Sequence, residues 1–137
     1  MKVRVEHVGI WVTDIERVAA FYSNYFGARV GPVYRNPRTG FESRFLEFGE
    51  GARLELMTRA DVTRRAENEQ LGIAHVAVGV GDDAAVDALA RRFIAAGVSP
   101  DSGPRRTGDG YYECVIRDPE GNRVEIVSEA ASAPGVS

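Results

Sequence analysis

The chain has two histidines, His7 and His75, and each leads a β-rich run: His7-Val8-Gly9-Ile10 and His75-Val76-Ala77-Val78. Two glutamates are matched in the same way, in Leu54-Glu55-Leu56 and Val124-Glu125-Ile126. Side chains of an extended strand alternate between faces, so each glutamate points away from its aliphatic neighbours. If the first and last strands of each segment are neighbours, His7 meets Glu55 and His75 meets Glu125, or the pairs cross between segments. Four donors could then converge in one cavity. Two imidazole nitrogens and two carboxylate oxygens suit a borderline divalent ion, Zn, Ni, Co, Mn or Fe, without choosing among them. One such pair alone reads best as a satisfied histidine and a solvent-facing glutamate. Its recurrence at matched places favours a metal.

What must position these residues is an internal repeat. His7 falls on His75 with an offset of 75 − 7 = 68, and Glu55 on Glu125 with an offset of 125 − 55 = 70, element order being kept between them. A strand is expected over about 3–12 and a helix over 13–26, opened by the capping box Thr13-Asp14-Ile15-Glu16 and stopped by Gly27. After a weak strand near 29–34, runs 41–48 and 53–58 read as a hairpin about Gly49-Glu50-Gly51. The second half repeats this: a strand at 73–80, a helix at 83–96, a weak strand near 98–100, and strands at 111–117 and 123–128 around Asp118-Pro119-Glu120-Gly121-Asn122. The expected fold is α+β, with two tandem βαβββ modules (about 3–58 and 72–128) forming a curved, cup-shaped mixed sheet. They make a single domain over 1–128, with a connector at 59–71 and a flexible tail at 129–137.

Composition agrees with one small globular domain: 137 residues, 44% hydrophobic and 27% charged. A formal charge of -3 leaves no basic excess for nucleic acid, so small molecules are the expected partners. The single cysteine, Cys114, forms no internal disulfide and suits a reducing compartment. The charged N-terminal residues and the lack of a long apolar run predict a cytoplasmic protein without a membrane segment.

Trp11 shares the face of His7 by two-residue alternation, as does Gly9, and could stack on a ligand or serve the core. The stretch Gly103-Pro104-Arg105-Arg106-Thr107-Gly108-Asp109-Gly110 has the composition of a mobile loop, and Arg105 and Arg106 could close over an anionic substrate. Cys114 reads as a buried structural thiol. Tyr111 and Tyr112 alternate, so one of them faces each side of the sheet.

Taken with Phe21-Tyr22, Phe26-Gly27 and Ile73-Ala74-His75-Val76-Ala77, these marks closely resemble the vicinal oxygen chelate superfamily over about 3–128. That superfamily contains glyoxalase I, bleomycin-resistance proteins and extradiol dioxygenases. The resemblance implies an open cup around a divalent metal, and glyoxalase I fits the ligands His7, Glu55, His75 and Glu125 best. It implies a lyase or isomerase acting on a small oxygen-bearing substrate such as a thiol hemiacetal, through a metal-stabilised enediolate. Glu55 or Glu125 would leave the ion briefly and move a proton between adjacent carbons. The bacterial glyoxalase I pattern has a glutathione-holding arginine where Trp11 stands, so other thiol adducts, ketones, lactones and phenols stay open as substrates. A natural-product-binding resistance protein and an extradiol dioxygenase-type oxidoreductase are the competing readings. In the resembled glyoxalase I arrangement two chains exchange modules, and each module here is small enough to leave faces uncovered. We therefore expect a homodimer, with His7 and Glu55 of one chain facing His75 and Glu125 of the other.

Overall fold

A helix begins where the first strand ends, and its cap lies one residue later than the capping box predicts. The structure is a computed structural model describing residues 1–67 and 69–130. Asp14, in extended conformation, is the N-cap of α1 (Ile15–Phe26), and its carboxylate accepts the Arg17 N–H at 3.1 Å. Either Thr or Asp can cap, but a carboxylate also complements the positive end of the helix dipole. The apolar stripe Ile15, Val18, Ala19, Phe21 and Tyr22 is buried, and Gly27 closes the helix in the left-handed conformation with φ 67°.

The chain divides into two compact units, Met1–Ala66 and Glu67–Ser137, each with its own mixed sheet. In the first, β1 (His7–Trp11), β2 (Arg29–Val30), β4 (Glu42–Glu47) and β5 (Arg53–Thr58) are ordered β1-β5-β4-β2, and β3 (Tyr34–Arg35) also pairs with β4. In the second, β6 (Val76–Gly79), α2 (Asp83–Ala95), β7 (Ser102–Arg106), β8 (Tyr112–Arg117) and β9 (Arg123–Val127) give the order β6-β9-β8-β7. The second unit is a βαβββ module, and the first is one too when β2 and β3, two short pieces that both pair with β4, are taken as a single interrupted strand. In each, the first strand lies parallel to the last and the remaining pairings are antiparallel.

The register repeats the sequence offsets. Gly9 pairs with Glu55 and Ala77 with Glu125, so the 68-residue shift at the first strand and the 70-residue shift at the last appear as equivalent ladders. One face of each sheet packs under its helix, where Leu46, Leu54 and Leu56 in one module and Cys114, Ile116, Val124 and Ile126 in the other are buried. Cross-links identify that face: Arg44 donates to Glu16 of α1 at 3.1 Å, and the Tyr112 hydroxyl donates to Asp87 of α2.

Three expectations shift. The first strand begins at His7 rather than near residue 3, and His75 stands one residue before β6. The weak strand expected near 98–100 lies instead at Ser102–Arg106, inside the stretch read as a mobile loop. Gly and Pro read as turn residues, but β7 is an edge strand, where a missing N–H costs little. The expected tail lies outside the described residues from position 131 onward. Among the described residues no helix is long and apolar enough to cross a membrane.

Candidate functional site

The face opposite each helix carries one of the predicted histidine–glutamate pairs. In the first module Glu55 alternates with buried Leu54 and Leu56, so it emerges on the helix-free face while they anchor the strand. His7 Nε2 lies 3.6 Å from Glu55 Oε1. On the other side of the ring, His7 Nδ1 is 2.6 Å from Glu6 Oε2, and Glu6 is in turn held by Arg53. A hydrogen bond donated from Nδ1–H to the Glu6 carboxylate leaves Nε2 as the ring nitrogen that faces Glu55. The Glu6 carboxyl is held below its usual range by hydrogen bonds from His7 and Arg53. Phe45, opposite Glu55 in the ladder, meets the His7 ring edge-on at 5.2 Å and restrains it.

In the second module Glu125 emerges between buried Val124 and Ile126, and His75 Nε2 lies 3.3 Å from its Oε1. This pair opens into a concavity of about 770 Å³, whose walls include Glu113, Asp109, Glu129 and Tyr111. Burial first, and then the hydrogen bond and charge of Glu125, push the Glu113 carboxyl up to about 7. A protonated Glu113 donates a hydrogen bond to Glu125 without adding a second negative charge. At the corresponding place the first module has Ser43, which pairs with Met57 as Glu113 pairs with Val127. The two half-sites thus differ beyond their donors.

Both pairs stand near the spacing of ligands. Two donors each about 2.1 Å from a shared ion, at tetrahedral or octahedral angles, stand roughly 3.0–3.4 Å apart. The 3.3 Å of the second pair falls within that spacing and the 3.6 Å of the first lies just beyond it, so a shared ion would draw His7 and Glu55 slightly together. Among the described residues no three or more His, Cys, Asp or Glu are grouped to hold a metal ion, and each module contributes one pair of the predicted ligands.

The other predicted site residues separate. Trp11 lies on the His7 face, 41% exposed, in edge contact with Phe41 at 6.1 Å and with the Arg59 guanidinium 5.3 Å from its ring centre. Arg105 pairs with Glu113 and so lies on the face of the His75–Glu125 pair. Arg106, one residue on, points to the helix side: it donates to Asp83 at 2.6 Å and to the Gly110 carbonyl at 3.2 Å, and lies over Tyr112. Tyr111 is the tyrosine that lines the concavity. The sequence reading missed Glu6, because strand alternation would send it to the face opposite His7, whereas β1 starts only at His7. It missed Glu113 because a lone glutamate between Tyr112 and Cys114 looks like any solvent-facing strand residue; only the ladder brings it to Glu125.

The family model of the Glyoxalase/Bleomycin resistance protein/Dioxygenase superfamily matches residues 4–126. An uncharacterized protein of Pseudomonas aeruginosa is 31% identical, covering 98% of this chain and 95% of its own length. Lactoylglutathione lyase of Haemophilus influenzae is 26% identical over 97% of this chain and 98% of its own. Among solved structures, the trypanothione-dependent glyoxalase I of Leishmania major superposes with a TM-score of 0.75 at 27% identity, covering 93% of this chain and 88% of that one. With its two βαβββ modules and a family match spanning nearly its whole length, this chain belongs to the Glyoxalase/Bleomycin resistance protein/Dioxygenase superfamily.

Proposed function

We propose that the chain is a metal-dependent lyase or isomerase of the glyoxalase I type, acting on a small oxygen-bearing substrate such as a thiol hemiacetal. The observation that carries this reading is the repeated His–Glu pair, at 3.6 Å in one module and 3.3 Å in the other, with the two glutamates on equivalent register positions. Likeness to proteins named lactoylglutathione lyase supports the same chemistry.

In this reading His7, Glu55, His75 and Glu125 hold one divalent ion, Zn, Ni, Co, Mn or Fe. When bound, the ion supplies Lewis-acid stabilisation of negative charge on substrate oxygen. The chain's own residues do the rest. Glu6 fixes the His7 tautomer through Nδ1, leaving Nε2 as the donor. Glu55 or Glu125 takes a proton from one substrate carbon and returns it to the next. Glu113 orients Glu125. Arg105 and Trp11 lie on the two half-site faces and contact substrate, whereas Arg106 ties the end of β7 to α2 through Asp83.

We further propose a cytoplasmic homodimer in which each centre takes His7 and Glu55 from one chain and His75 and Glu125 from its partner. Among the described residues no three or more His, Cys, Asp or Glu are grouped to hold a metal ion, so a four-donor centre would combine the His–Glu pair of one module with that of the other. The test is turnover of 2-oxoaldehyde hemithioacetals by Glu125→Gln, which should be lost while the fold and circular dichroism are kept. Wild-type turnover by that variant would overturn the proton-transfer role, and stoichiometric ligand binding that survives chelation without product would favour a sequestering protein.

A further inference from the structure

From the first module's helix-free face we infer a binding platform for a planar aromatic arm of the substrate, about 13 Å along the sheet from His7. The inference rests on the metal-centre reading and adds the substrate class. Trp11 is four residues along β1 from His7, on the same face, which at about 3.3 Å per residue sets the distance. Three rings are grouped there: Phe41 stands 6.1 Å from Trp11 and 6.1 Å from Tyr34. Tyr34 pairs with Ser43, and Ser43 with Met57, which places all of them on the face of the Phe45–Glu55 pair. Trp11 and Tyr34 remain 41% and 56% exposed, and large aromatic rings left open side by side on a small domain mark a binding surface.

Between the metal pair and the rings the sheet is covered by a thioether. Met57 lies over Gly9, its Cε 3.0 Å from where a Cβ at Gly9 would stand. A larger residue at Gly9 would displace this flexible thioether, which is suited to adapt to a ligand chain. Arg59 lies against the Trp11 ring but is engaged by Asp61 through both Nε and Nη2, so its charge is largely met. A neutral aromatic group is therefore favoured over an anionic one. The second module lacks the feature: Gly79 takes the place of Trp11, and the Glu129 side chain fills the space above it.

Trp11 is the chain's single tryptophan, so its emission reports this spot alone. The test uses two hydroxamic acids on the metal-loaded protein, both chelating through paired oxygens and both with spacers of about 10 Å, one ending in phenyl and the other in methyl. The phenyl compound should bind about tenfold tighter and shift Trp11 emission, and calorimetry should show that preference falling to within about twofold in Trp11→Ala and in Tyr34→Ala while Trp11→Phe keeps most of it. Equal binding of both acids with unchanged emission overturns the platform and leaves the metal centre standing. If neither acid binds, the metal reading falls and the inference with it. Emission that shifts on dilution of the ligand-free protein would assign the rings to contact with a second copy, again overturning the proposal.

Discussion

Glu6 and Cys114 make opposite uses of their surroundings. The Glu6 carboxylate stands 2.6 Å from His7 Nδ1 and is also bound by Arg53. Removing it frees the ring to rotate or change tautomer, so Glu6→Ala should weaken metal affinity by about 10-fold, read by competition with a chelator, with little change in melting temperature. Cys114 is fully buried on the helix side, and burial pushes its thiol up to about 11. An unfolded thiol ionises near 8.5, so the folded protein holds the neutral form. The associated stability is complete below about 8.5 and is lost as pH rises towards 11. Cys114 should resist thiol reagents at pH 8 in the native state and react at once in denaturant; rapid native labelling would contradict this burial. These two residues also show what was legible in the sequence. Cys114 in an apolar strand reads as buried, whereas Glu6 depends on where β1 begins, which a run of alternating residues does not fix.

Among the elements, the β8–β9 hairpin sets Glu125, and its turn is held by one carboxylate. Buried Asp118 accepts the Glu120 N–H at 2.9 Å, the Asn122 N–H at 3.0 Å and the Asn122 side-chain amide at 2.9 Å. Asp118→Ala leaves three donors without this acceptor and should cost about 2–3 kcal/mol in denaturant unfolding. It should also lower metal affinity, because Glu125 lies three residues beyond Asn122. The corresponding turn of the first module, Gly49-Glu50-Gly51, has no such residue, so the two hairpins are built differently. Helix and hairpin positions were readable because capping residues, glycines and aliphatic periodicity agree with one another. β7 was not, since Gly103 and Pro104 carry turn chemistry into an edge strand. The pairing of Arg105 with Glu113 and the grouping of Trp11, Phe41 and Tyr34 follow from ladders between distant segments, and no local pattern encodes them.

For the whole molecule, the repeat explains why two donors recur: each module places a His–Glu pair on the face opposite its helix. Shared centres make a specific prediction for mixed dimers. Combining His7→Ala chains with Glu125→Gln chains places both lesions in one centre and leaves the other intact, so part of the metal binding and turnover should return on mixing. No recovery despite demonstrated chain exchange would assign all four donors to one chain. The central claim is that both pairs serve the same ion. Metal analysis of the purified wild type beside His7→Ala and His75→Ala tests it most directly. The account predicts about one divalent equivalent per chain in the wild type and its loss in both variants, since tetrahedral coordination needs more than the two donors of either module; full retention of metal by either variant would contradict it.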